Sequence, residues 1–196
     1  MKKDKLRSIY IKRRKEFSKS EIHQKSMMIF ELINSNFTLK NKKISLFLTI
    51  EKLNEINTFP FLEEIKKISQ LVATPKSDFK TNNLTHIKFD SIAQLEINSF
   101  GIPEPKSGDL IQPEEFDIVF VPLLTIDKFG NRVGYGKGFY DRFLSKCNPE
   151  CLFIGLNLFE EIEIIDDLNK EDITLNFCVT PTQIITFNKQ KKYLKV

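Results

Sequence analysis

A chain of 196 residues is the length of one domain with room for a sizeable core, and residues 1–196 are read as a single domain. Its 30 Lys+Arg against 26 Asp+Glu leave a net charge of +4, spread along the chain, which is no nucleic-acid footprint. Cys147, Cys151 and Cys178 fit neither a disulfide framework nor a zinc spacing, His23 and His86 lie far apart, and no apolar run approaches the about 18 residues of a membrane span, so the expected setting is the cytoplasm, with no membrane partner.

In chain order, residues 3–16 read as a helix with Leu6, Ile9, Tyr10, Arg13 and Phe17 on one face. Lys3 and Arg7, four apart, share a face and can grip one anion together. Ser18-Lys19-Ser20-Glu21 is a capping box that starts a second helix, with Ile22, Ile29, Leu32 and Ile33 on its apolar side. Ile44 to Leu48 reads as a buried strand with Thr49-Ile50 just past its carboxyl end, where open α/β sheets bind ligands. A loop runs from Glu51 to Asn57, and Thr58 is a candidate cap for a helix over Leu62, Ile65 and Ile68. Leu71 to Thr74 is the next strand, ended by Pro75. Leu84 to Phe89 alternates as an edge strand, and Phe100 to Pro105 is a stiff extended loop. The basic clusters at the two ends (Lys2, Lys3, Lys5; Lys12 to Lys15; Lys189 to Lys192) read as solvated faces, without the interleaved aromatics of an RNA-binding surface.

The chain is organised around residues 119–142. Ile118 to Val121 reads as a buried parallel strand that stops at Pro122. Gly130, Gly134, Gly136 and Gly138 follow, with Arg132 and Lys137 among them, and Phe139 to Leu144 restarts an apolar pattern at helical spacing. Strand, glycine-rich basic loop and helix together read as a polyphosphate cradle, because glycine lets the backbone approach a phosphate and a helix start favours anions. The plainer alternative is a long glycine turn. The stretch is not a Walker A loop: Asn131 occupies its first glycine position and Gly138 its hydroxyl position. Nor is it a dinucleotide fingerprint, since Phe139 sits where the last glycine belongs. Leu152 to Leu158 is a further strand, Phe159 to Ile165 closes over it, Asp172 lies in a polar loop, and Phe177 to Pro181 and Ile184 to Phe187 are late strands. The alternation of strands and helices predicts an α/β, three-layer αβα fold with a mostly parallel open sheet.

The run Arg132-x-Gly134-x-Gly136-x-Gly138-x-Tyr140-Asp141, preceded by Val121-Pro122 and Asp127-x-x-Gly130, resembles the 5-formyltetrahydrofolate cyclo-ligase (5,10-methenyltetrahydrofolate synthetase) family. The resemblance extends over nearly the whole chain. It implies an architecture like that of the sugar-phosphate isomerase and CoA-transferase group, and ATP-dependent cyclisation of 5-formyltetrahydrofolate to 5,10-methenyltetrahydrofolate with release of ADP and phosphate. It also implies ATP contacts at Lys3, Arg7, Arg132, Gly134, Tyr135, Gly136, Lys137, Gly138, Phe139 and Tyr140, with Arg132 and Lys137 stabilising the transferred phosphate. Folate contacts are implied at Ile50, Tyr135 and Phe139, at Glu104 of the Ile-x-Glu-Pro segment, and at either Glu55 or Asn57; alignment on Thr58 favours Asn57, charge favours Glu55. Two acidic positions, Asp141 and Asp172, are implied to hold Mg²⁺.

Overall fold

The computed structural model describes residues 1–187; the Lys189 to Lys192 cluster lies outside them. Two helices open the chain. α1 (Lys3–Glu16) buries Leu6, Tyr10 and Arg14, so the inward stripe runs at i, i+4 and i+8 and takes Arg14 rather than Arg13. Arg13 lies outside it, over the Phe159 ring and paired with Glu161. α2 (Lys19–Asn36) starts at the capping box, with the Ser18 hydroxyl accepting from the Glu21 N–H. β1 (Lys43–Ser45) is followed by α3 (Phe59–Ile68), whose inner face holds Phe61, Leu62 and Ile65. Then come β2 (Leu71–Asp78), β3 (Asn83–Lys88), β4 (Leu95–Ile97), β5 (Pro103–Pro105), β6 (Leu110–Ile111) and β7 (Ile118–Pro122). β8 (Thr125–Asp127), β9 (Arg132–Val133), α4 (Phe139–Leu144), β10 (Leu152–Leu156), β11 (Ile162–Glu163), β12 (Phe177–Val179) and β13 (Ile184–Thr186) complete the described chain.

The main sheet has eight strands in the order β13-β12-β10-β7-β1-β2-β3-β6. The five from β12 to β2 are parallel; β13 adds an antiparallel edge on one side and β3 and β6 an antiparallel pair on the other, with β6 outermost, so the edge lies one strand beyond the Leu84 to Phe89 run expected to form it. The period of two divides the strands between two cores. Ile118 and Phe120 pack with Ile154, Phe177 and the inner faces of α1, α2 and α3. Val119 and Val121 pack on the other face with Cys178, Leu175 and Phe143 and Leu144 of α4. Phe30 of α2 stacks on Phe61 of α3 at 4.3 Å. No helix among the described residues is long and apolar enough to cross a membrane, and all three cysteines are free.

Three sequence expectations are corrected. The strand expected at Ile44 to Leu48 ends its paired register at Ser45; the Leu46 N–H still donates to the Ala73 carbonyl at 3.0 Å, and buried Phe47 and Leu48 then leave the ladder at the sheet's open end. Pro75 does not end β2, which runs to Asp78 paired with β3; the register with β1 stops at Ala73, so Pro75 sits where that side of the strand has no neighbour to bond. Thr58 precedes α3 but makes no side-chain cap, since its hydroxyl donates to the Phe47 carbonyl and Asn57 Oδ1 accepts from the Phe59 N–H instead.

Candidate active site

β1 and β7 are neighbours, but the chain leaves them in opposite directions, toward β2 and toward β10. Such a reversal opens a crevice at the carboxyl ends of the strands. A cavity of about 480 Å³ lies there, with Phe47, Leu48 and Ile50 after β1 and Pro122 at the end of β7 in its wall.

The stretch after β7 does two different things. Its first half is a hairpin of β8 and β9, whose tip is held by the buried Asp127: Oδ1 accepts from the N–H groups of Phe129 and Asn131 at 2.8 and 2.9 Å, and Oδ2 from Asn131 Nδ2 at 2.7 Å. Gly130 belongs to that tip, packed against the Leu175 carbonyl, so it is no part of a phosphate cradle. Gly134, Gly136 and Gly138 do line the cavity, together with Tyr135, Lys137, Phe139 and Tyr140. The helix that follows is short, and Gly138 before it makes no side-chain cap. Arg132, on β9, donates to Asp141 Oδ1 at 2.7 Å and to the Ile173 carbonyl at 2.5 Å, while the Ile173 N–H donates to the same Asp141 oxygen at 3.1 Å.

Helix α1 brings two more cations to the loop. Arg7 Nε donates to the Gly134 carbonyl at 2.9 Å, and its guanidinium carbon lies 3.0 Å from where a Cβ on Gly136 would stand. Lys3 reaches across to Asp172, while its own N–H donates to Asp167 at 2.7 Å. Lys3, Arg7, Arg132 and Lys137 therefore converge on one cavity from α1, β9 and the glycine loop.

The opposite wall is set by a buried polar chain. Arg14 Nη1 donates to the Tyr135 hydroxyl at 2.7 Å, that hydroxyl donates to Glu55 Oε1 at 2.5 Å, and Glu55 Oε2 accepts from the Ile50 N–H at 2.8 Å. Burial pushes the Glu55 carboxyl up, and the Arg14 guanidinium, the Tyr135 hydroxyl and the Ile50 N–H oppose it. Burial also raises the Tyr135 phenol well above its ordinary value, with the Glu55 carboxylate adding to the rise. Two of the folate expectations part from the cavity here. Asn57 lines a separate small pocket, its N–H bonded to Ser26 Oγ at 2.9 Å; Glu55 borders that pocket as well, but of the two only Glu55 also reaches the cavity. Glu104 is buried behind the wall, accepting from the Ser77 N–H at 2.7 Å, and only Ile102 and Pro103 of its segment reach the cavity.

Among the described residues no group of three or more His, Cys, Asp or Glu side chains could hold a metal by itself. Asp141 and Asp172 both line the cavity. Each is bonded through one oxygen, Asp141 Oδ1 to Arg132 and Ile173 and Asp172 Oδ2 to Lys3 and Asn169. Two carboxylates with an oxygen each to spare do not make a resident metal centre, but they suit a hard cation that arrives with phosphate and water oxygens.

A family model described as the 5-formyltetrahydrofolate cyclo-ligase family matches residues 1–181. The chain belongs to that family. It is similar to the 5-formyltetrahydrofolate cyclo-ligase of Mus musculus, 30% identical over 137 residues that cover 66% of this chain and 66% of the mouse protein. It is similar to that of Escherichia coli strain K12, 28% identical over 149 residues, which cover 72% of this chain and 79% of the relative. The NMR structure of Aquifex aeolicus 5,10-methenyltetrahydrofolate synthetase superposes with a TM-score of 0.78 at 28% identity, covering 96% of this chain and 94% of that one. Of the positions the cyclo-ligase resemblance singled out, the fold gathers all but Asn57 and Glu104 around the cavity. The sequence reading missed Arg14. Its signal was the stripe Leu6-Tyr10-Arg14, which competed with Leu6-Ile9-Arg13 for the same face.

Proposed function

We propose that this cavity is the active site in which the chain cyclises 5-formyltetrahydrofolate to 5,10-methenyltetrahydrofolate, with ATP converted to ADP and phosphate. The observation that carries the reading is the meeting of α1 with the glycine loop, where Arg7 is bonded to Gly134 and packed against Gly136. A formamide oxygen is a poor leaving group. Its attack on the γ-phosphate expels ADP and converts it to a phosphate ester of an iminium carbon; N10 then adds to that carbon, and phosphate departs as N10 gives up its proton. Such a reaction asks for positioning and positive charge more than for a protein nucleophile.

In this reading Lys137 and Arg132 take the charge that moves onto the transferred phosphate. Lys3 and Arg7 bind the outer phosphates, and the backbone of Gly134, Gly136 and Gly138 gives them close approach, with Tyr140 beside the nucleotide. Ile50, Tyr135 and Phe139 supply apolar surface for the pterin, and Glu55, facing the cavity, takes its N–H donors in place of Asn57. Asp141 and Asp172 would hold Mg²⁺, which when bound shields the phosphate oxygens from one another. Residues 1–196 are read as one cytoplasmic domain, with free thiols that suit a reducing compartment, and with an architecture related to the sugar-phosphate isomerase and CoA-transferase group. The test is the absorbance of methenyltetrahydrofolate in the presence of 5-formyltetrahydrofolate, ATP and Mg²⁺. Product should appear only when ATP is supplied; ATP binding without product under any condition would leave a non-catalytic binding protein.

A further inference from the structure

Arg14 is 2% exposed, and a buried guanidinium needs a counter-charge. The carboxylate it reaches is Glu55, but with the Tyr135 hydroxyl between them. A direct fork between guanidinium and carboxylate would occupy both carboxylate oxygens. With the phenol interposed, Oε1 and Oε2 of Glu55 each accept one bond, from Tyr135 and from the Ile50 N–H, and each keeps a lone pair for a donor in the cavity. Arg14 itself does not line the cavity. It grips the surrounding loops from behind: its guanidinium also donates to the Leu123 carbonyl after β7, and its own carbonyl accepts from Asn54 Nδ2 at 2.9 Å. Asn54 is the left-handed residue, φ 47°, that turns the chain into Glu55.

We propose that Arg14 is a positioning residue for the folate: acting through the Tyr135 hydroxyl, it favours the charged form of Glu55 and keeps its carboxylate facing the cavity. The proposal rests on the folate reading of the cavity. The groups around Glu55 are Arg14 from α1, Tyr135 from the glycine loop and Tyr140 from α4, whose phenol feels the same carboxylate. On the far side, the small pocket that Glu55 also lines carries Lys19, His23 and Glu51. Burial favours the neutral carboxyl, and Arg14 is the largest influence against it. Without Arg14, Glu55 titrates at higher pH and its neutral form, a weaker acceptor, gains.

The experiment measures kcat and both KM values from pH 6 to 9 for Arg14→Leu, Arg14→Lys, Tyr135→Phe and the Arg14→Leu/Glu55→Gln pair. In Arg14→Leu the KM for 5-formyltetrahydrofolate should stand about tenfold or more above the unsubstituted chain at pH 6.5 and converge on it as the pH rises, since one unit of displacement is a tenfold change in ionised fraction. The KM for ATP should stay within about twofold, well short of the tenfold step. Arg14→Lys should restore part of the profile, Tyr135→Phe should repeat its trend, and the pair should show no pH slope. A folate KM raised by the same factor at every pH, or both KM values raised alike, would overturn the proposal as mere loss of packing. If Arg14→Leu fails to fold, Tyr135→Phe decides, because it removes one hydroxyl. If the unsubstituted chain does not turn over 5-formyltetrahydrofolate, the folate reading falls, and ¹³C NMR titration of the Glu55 carboxyl still tests the link. Its midpoint must rise in Tyr135→Phe or Arg14→Leu; an unmoved midpoint refutes it.

Discussion

Gly136 is where the nucleotide reading is most exposed to refutation. Its φ is +88°, in the left-handed region, and a Cβ there would meet the Arg7 guanidinium at 3.0 and 3.1 Å. Gly136→Ala therefore has two consequences. The backbone cost of a left-handed alanine is about 1–2 kcal/mol, which for a chain of this size lowers Tm by roughly 2–8 °C. The methyl also crowds the Arg7 guanidinium, which must give way, and at the limit where a charge-assisted contact to a phosphate is lost the cost is about 1.5–3 kcal/mol. That is about a 10- to 150-fold rise in the KM for ATP. Gly134 is the internal control: it has no left-handed φ, and a Cβ there meets nothing within 4 Å. Gly134→Ala should keep the Tm of the unsubstituted chain, and any loss it shows should appear only when nucleotide is present. Thermal melting with and without ATP, followed by steady-state kinetics at saturating folate, separates the two. The placement of Arg7 against this loop is wrong if Gly136→Ala keeps its KM for ATP, or if Gly134→Ala melts as early as Gly136→Ala.

Lys137→Ala should lower kcat more than Lys3→Ala, because Lys3 is already engaged with Asp172 whereas Lys137 is exposed at the rim of the cavity; steady-state kinetics giving the reverse ranking would displace Lys137 from the transferred phosphate. Chelation with excess EDTA should abolish turnover, and Asp141→Asn should raise the Mg²⁺ concentration needed for half-maximal rate; full activity in EDTA removes both carboxylates from a metal role. His86 is buried against Phe143 at 4.0 Å with neither ring nitrogen bonded, and burial brings its pKa from 6.5 to about 3. A depressed folded value means stability that is complete above pH 6.5 and is lost as the pH falls toward 3. At pH 4.5 the loss is about 3 kcal/mol, so His86→Phe should melt closer to the parent at pH 7 than at pH 4.5, where the variant gains; equal differences in Tm at both pH values would refute the assignment.

The sequence by itself determined the parts whose causes are local. The capping box at Ser18 and Glu21 sets the start of α2, because a hydroxyl and a carboxylate three residues apart satisfy each other's backbone N–H groups wherever they stand. The β-branched run before Pro122 made β7 legible, and the glycine-rich run carried the family. What only the tertiary structure decided was set by neighbours remote in sequence. Pro75 reads as a strand end until β1 is seen to have stopped beside it. The four glycines read as one cradle until Leu175 claims Gly130 for the hairpin tip. Alignment on Thr58 leaned to Asn57 over Glu55, but a loop's facing depends on which partner takes each side chain: Tyr135 draws Glu55 inward, and Ser26 holds the backbone of Asn57 on the far side. Arg14 is the clearest case. In sequence it is one cation in a basic helix end, and only the half-buried Tyr135 and buried Glu55, contributed by two other loops, make its charge matter.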